Sequence, residues 1–186
     1  SIAPNFTIAQ SFYEIGALIR EGSEHVSIRE FVCNTLCDYV TAAVKMENAF
    51  QGDVVQGLDE YLDNRMGSSC VQNIDIPAWF LDHPLAKEMM RHINVMVALD
   101  NDIVSAHREL HCKYVGNMVL LLVHHRGMTP QEAVDHCCQL IRDSSAAFGL
   151  LESEILNLAI QNDIVETATI FVESCKDVRI GLVNWL

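Results

Sequence analysis

One long helical run, residues 85 to about 111, constrains this chain most, because its apolar residues recur at helical rather than strand spacing. Its middle (Ile93, Val95, Met96, Val97, Ala98, Leu99) is apolar enough to be buried on most sides. Asp100-Asn101-Asp102 follows at the inner end, and polar groups there need partners. A bound metal and anion would supply them, as would hydrogen bonds to neighbouring helices. Asn101, Ser105 and Glu109 stand at i, i+4 and i+8. At about 3.6 residues per turn they fall at 0°, about 40° and about 80°, with Arg108 at about −20° on the same stripe. An amide oxygen, a hydroxyl and a carboxylate beside one cation suit a divalent metal that holds a phosphate-type anion. A short solvated polar patch is the competing reading.

The rest of the chain is helical in pattern too. Residues 6–20 carry Phe6, Ile8 or Ala9, Phe12 or Tyr13, Gly16 and Ile19 at helical spacing. Ser27 with Glu30 three residues on is a capping-box pairing, opening a helix toward Phe50 with Gly52 as its stop. Residues 58–65 form a short helix ended by Gly67-Ser68-Ser69, and Pro77 and Pro84 punctuate a loop. Residues 117–125 are a further apolar helix ended by Arg126-Gly127. Thr129-Pro130-Gln131-Glu132 gives an N-cap, a proline at the first helical position and an acid behind it. The last helices are expected over about 131–149 and 151–186, with a break near Asn162-Asp163. Without sustained period-two alternation, the fold class is all-α.

Length allows one sizeable core, and nothing marks a second domain within 1–186. Half the residues are hydrophobic, so a disordered chain is excluded. Acids outnumber bases 25 to 12, a net charge of −13 that argues against nucleic acid or an anionic membrane as partner. An anionic substrate would need local neutralisation by metal ions and a few placed cations. Seven cysteines at spacings unlike a disulfide framework read as reduced thiols in the cytoplasm. The run from Met118 to Val123 is too short to cross a bilayer. The chain starts at Ser1 without Met and stops inside an apolar run, as an interior piece of something longer would.

Other constellations carry less. His107 and His111 have a zinc-site spacing, but Arg108 stands where the metalloprotease pattern requires Glu. His124-His125 and Cys137-Cys138 are adjacent and point to different helix faces. Cys33 and Cys37 share a face, which burial as small hydrophobes explains.

Asn101-Asp-x-x-Ser105-x-x-x-Glu109 on a long helix resembles the second metal-binding motif of class I terpene synthases of the microbial type. Glu60-Tyr61-Leu62-Asp63-Asn64-Arg65 looks like that family's Tyr-Leu/Ile-x-x-Arg segment, whose Arg senses the substrate diphosphate. Ile76-Pro77 and His83-Pro84 resemble the stretch preceding its metal helix. Asn117 stands eight residues after Glu109, where members commonly carry Asn, and Asn184-Trp185 resembles the last helix, whose Trp lines the cavity. The resemblance covers residues from about 40 onward.

It implies a class I terpenoid synthase helical bundle around an apolar cavity, here its C-terminal half. Asn101, Ser105 and Glu109 would chelate one Mg²⁺, Arg65 and Arg108 would hold the diphosphate, and Trp185 would face the carbocation. The activity implied is cyclisation of a prenyl diphosphate, farnesyl diphosphate first, to a sesquiterpene. A second copy of the chain, as a homodimer, is a candidate partner.

Three departures qualify the match. No Asp-Asp pair represents the family's first metal motif, its closing Arg-Tyr pair would lie beyond Leu186, and the stretch from Arg65 to Pro77 is short. A chain truncated at both ends is the expectation, and alone it should cyclise nothing, because the other metal-bearing wall is missing. Two alternatives stand beside the cyclase: a degenerate or non-catalytic helical interaction domain, and a chain-elongating prenyl diphosphate synthase. The latter normally places Asp where Ser105 stands.

Overall fold

The computed structural model describes residues 41, 44–45, 55–66, 76–112 and 116–185. The chain divides into two compact units, Ser1–Cys37 and Asp38–Leu186, and all described residues lie in the second. The helix expected over 6–20, most of that over 27–50, Gly52, the Cys33/Cys37 pair and the 67–69 break lie outside the described residues, as do the side chains of Arg65 and Trp185.

Among the described residues all regular structure is helical: α1 (Leu58–Met66), α2 (Ala78–Leu81), α3 (Pro84–His111), α4 (Met118–Arg126), α5 (Pro130–Gln161) and α6 (Val165–Trp185). None is long and apolar enough to cross a membrane. Their ends follow from local chemistry. His83 caps α3, its Nδ1 accepting from the Leu85 N–H at 3.2 Å, with Pro84 at a position that needs no donor. Gly127 ends α4 at φ 63°, a left-handed conformation open to glycine without steric cost. Thr129 and Glu132 form a reciprocal capping box at α5, and the two Thr129 donors hold the Glu132 carboxyl below its usual range.

Two expectations change. The loop between Pro77 and Pro84 contains the single turn α2, four residues being too few for periodicity to register. The expected boundary near 149–151 does not exist: α5 runs unbroken to Gln161. A lone helical glycine costs only about 1 kcal/mol against alanine. Phe148 and Ile155, on either side of Gly149, are both buried in one core, and their burial outweighs that cost. The expected break falls where predicted, at Asn162 and Asp163, the latter at φ 56°.

Helix α3 is the hub, packing most extensively on α5 and also on α1, α2, α4 and α6. Its first half sends Ala86, Met89, Ile93 and Met96 into a core with Phe80, Phe148 and Phe171, where Phe80 and Phe171 meet edge to face at 5.3 Å. Val95 and Leu99 enter a second core with Tyr61, Met118, Leu121, Leu122 and Cys137. This second core clamps the start of α4 beside the polar end of α3.

Candidate functional site

The polar stripe on α3 is not a solvated patch. Ser105 is 4% exposed, Asn101 and Glu109 are half-buried, and only Arg108 is open to solvent. Asn117, the residue before α4, is fully buried against the stripe. Its Nδ2, with two hydrogens, donates to Glu109 Oε2 at 2.9 Å and to the Asp102 carbonyl at 2.8 Å, and shares one of them with Ser105 Oγ at a longer 3.3 Å. Its Oδ1 accepts from the Val119 N–H at 3.0 Å and so caps α4. Two of the three expected metal donors therefore converge on one nitrogen.

The acids before the stripe are engaged by neighbouring helices. Asp102 is 1% exposed, and its Oδ2 accepts from the Tyr61 hydroxyl at 2.6 Å and from the Met118 N–H at 2.8 Å. The second contact sets a carboxylate at the positive end of α4. Asp100 accepts from Arg179 of α6, with Nε at 2.8 Å and Nη2 at 3.5 Å, while Nη1 rests on Met96 Sδ. Of the two readings for these polar groups, hydrogen bonds to neighbouring helices describe Asp100 and Asp102.

The donor set suits a hard divalent cation: one carboxylate, one hydroxyl and one amide side chain from successive turns of one helix. Glu109 would offer a cation its carboxylate, of which Oε2 also accepts from Asn117. No group of three His, Cys, Asp or Glu gathers among the described residues. The rings of His107 and His111 lie 4.4 Å apart, and His111 Nδ1 is already within 2.8 Å of the His107 carbonyl.

A hollow of about 550 Å³ lies between α3, α5 and α6, lined by Asp100, Ile103, Val104, Cys138, Ile141, Arg142 and Val183. It shares α3 with the stripe but not its face: Asn101, Ser105 and Glu109 do not line it. Helical projection puts Ile103, Asp100 and Val104 at about −160°, −100° and −60° from Asn101. Cys137, one residue from the hollow, faces the core, where burial pushes its thiol up to about 12 and nearby Asp102 adds to the effect.

The spacing places Asn101, Ser105 and Glu109 on one helix face, but it does not give the contacts that hold them. Its place eight residues after Glu109 singles out Asn117, but the helical pattern takes it as the first helical residue rather than the N-cap, a role that an Asn ahead of an apolar run signals. Nothing local marks Tyr61 as the partner of Asp102, or Arg179 as the partner of Asp100.

Residues 3–146 match the family model described as terpene synthase family 2, C-terminal metal binding. A silphinene synthase of Penicillium patulum is 29% identical over 119 residues, covering 61% of this chain and 30% of that protein. Terpene cyclase 4 of Gibberella fujikuroi is 27% identical over 140 residues, covering 69% of this chain and 37% of that protein. The chain thus spans about a third of the length of these curated relatives. In fold it is similar to the linalool/nerolidol synthase of Streptomyces clavuligerus, solved alone and with 2-fluorogeranyl diphosphate. That likeness has a TM-score of 0.88 at 19% identity, over 100% of this chain and 68% of that one.

Proposed function

Since the chain belongs to terpene synthase family 2, in its C-terminal metal-binding region, we propose that it supplies one metal-binding wall of a Mg²⁺-dependent cyclase. The substrate is a prenyl diphosphate, farnesyl diphosphate first, and the product a sesquiterpene. The observation that carries this reading is the convergence of Ser105 Oγ and Glu109 Oε2 on Asn117 Nδ2, on the helix face that also bears Asn101 and Arg108. Sesquiterpene synthases and a sesquiterpene cyclase among the relatives support the substrate class.

Asn101, Ser105 and Glu109 are the residues that would hold the ion. When bound, it neutralises charge on the diphosphate as that group departs. Arg65 and Arg108 hold the diphosphate, since a guanidinium matches phosphate oxygens bidentately and stays charged at any working pH. Loss of the diphosphate from the allylic carbon leaves a carbocation, which needs walls without nucleophiles and a π face. Trp185 is the residue assigned to that face.

The test is incubation of the protein carrying this chain with Mg²⁺ and farnesyl diphosphate, reading hydrocarbons by gas chromatography with mass spectrometry and released diphosphate separately. Turnover that disappears without Mg²⁺ and in Glu109→Gln supports the reading. No product from prenyl diphosphates of ten, fifteen or twenty carbons refutes it and favours a non-catalytic domain. Consumption of isopentenyl diphosphate with chain growth would assign a chain-elongating synthase instead.

A further inference from the structure

Resting on the metal reading above, we propose that Asn117 is a positioning residue for the metal-binding face, orienting the Glu109 carboxylate and contacting Ser105 through the same amide nitrogen. Nδ2 lies 2.9 Å from Glu109 Oε2 and 3.3 Å from Ser105 Oγ. The orientation of the amide is fixed from both ends. Its oxygen accepts from the Val119 N–H, and its nitrogen also meets the Asp102 carbonyl at 2.8 Å, so a flipped amide would face a donor with a donor and an acceptor with an acceptor. Full burial of Asn117 removes water as a substitute partner.

The chemistry follows from these contacts. Glu109 is half-buried on a long side chain, and a carboxylate left to rotate would present its oxygens in many directions. Holding Oε2 with a neutral donor fixes the carboxylate plane without cancelling its charge, which leaves Oε1 oriented for a cation. An arginine in the same place would satisfy the carboxylate and also offset the charge that attracts the ion. Hydrogen bonds to ligating carboxylates typically govern metal affinity by about 10–100-fold.

Asn117 is itself held in place. Asp102 takes the Met118 N–H at 2.8 Å and the Tyr61 hydroxyl at 2.6 Å, so the start of α4 is tied to both α3 and α1. Arg65, the proposed diphosphate-holding residue, follows Tyr61 on α1 by four residues. One buried cluster thereby joins the helix of the metal ligands to the helix of Arg65.

Two variants separate positioning from capping. Asn117→Asp keeps an oxygen to cap Val119 but offers Glu109 no donor, and Asn117→Ser keeps a cap too short to reach Glu109 and adds no charge. Mg²⁺ binding is measured by calorimetry with inorganic pyrophosphate present, beside thermal unfolding and far-ultraviolet circular dichroism. The expected result is a Mg²⁺ dissociation constant raised about 10–100-fold with helix content retained. Unchanged Mg²⁺ affinity in whichever variant folds overturns the proposal, as does failure of both to fold, which would make Asn117 a structural residue. Glu109→Gln serves as the reference. If it loses Mg²⁺ while the Asn117 variants do not, positioning alone fails. If the unaltered protein carrying this chain binds no Mg²⁺, or its Glu109→Gln variant binds it equally, the metal reading fails and takes the proposal with it.

Discussion

Replacing Tyr61 by Phe removes the hydroxyl that joins α1 to the buried cluster. The ring is fully buried and Phe retains it, so apolar burial is nearly unchanged. What is lost is the 2.6 Å hydrogen bond from the hydroxyl to Asp102 Oδ2, while Asp102 keeps the Met118 N–H. A hydrogen bond to a charged acceptor is worth about 1.5–3 kcal/mol, at the upper end when the acceptor stays buried. The expected destabilisation is about 2 kcal/mol, a large share of the roughly 5–15 kcal/mol that holds a typical domain. In a chain of this size each kcal/mol moves Tm by about 2–4 °C, so Tm should fall by about 4–8 °C.

Urea unfolding followed by circular dichroism measures the loss directly. Asp102→Asn, alone and combined with Tyr61→Phe, completes a double-mutant cycle, and contact between the two groups requires a coupling energy above about 0.5 kcal/mol. A Tyr61→Phe protein within about 0.5 kcal/mol of the original, with no coupling, would refute the reasoning. Asp102 would then owe its burial to other contacts, and the link between α1 and α3 would carry no energy.

Two further outcomes follow from the fold. Gly149 is exposed inside α5 with nothing within 4 Å of where a Cβ would stand, so Gly149→Ala should stabilise the protein by up to about 1 kcal/mol in urea unfolding; a loss instead would mean that the helix breaks there after all. Cys112 is exposed, whereas burial raises the Cys137 and Cys175 thiols to about 12. Iodoacetamide at pH 8 should therefore modify Cys112 quickly and the other two only on unfolding, as peptide mass spectrometry would show, and rapid native labelling of Cys137 would contradict its place in the core.

What the sequence made legible was local. The capping box at Thr129 and Glu132, the turn at Asn162 and Asp163, and the triad on α3 each lie within a few turns of one helix, where spacing translates directly into geometry. The boundary expected near 149–151 is absent because the weak local propensity of Gly149 is overridden by Phe148 and Ile155 packing into one core. The Tyr61–Asp102 and Arg179–Asp100 pairs join residues 41 and 79 positions apart, and no periodicity names a partner at such distances. Asn117 lies between these cases. Its cap was readable as a local signal, but its reach back to Glu109 depends on how α4 docks beside α3.

Those long-range pairs also resolve an electrostatic difficulty. A chain of net charge −13 proposed to bind a diphosphate carries Asp100, Asp102 and Glu109 within ten residues of one helix. Three unpaired carboxylates there would repel the substrate along with its analogues. The fold treats them differently. Arg179 offsets Asp100, while the Tyr61 hydroxyl and the positive end of α4 take up Asp102. Glu109 meets the amide of Asn117, a neutral donor. Among the described residues, Glu109 is thereby the carboxylate of this stretch that no cation or helix N-terminus is seen to offset, which is what its proposed work of holding a cation requires, and Arg108, proposed to meet the anion, is exposed one residue away.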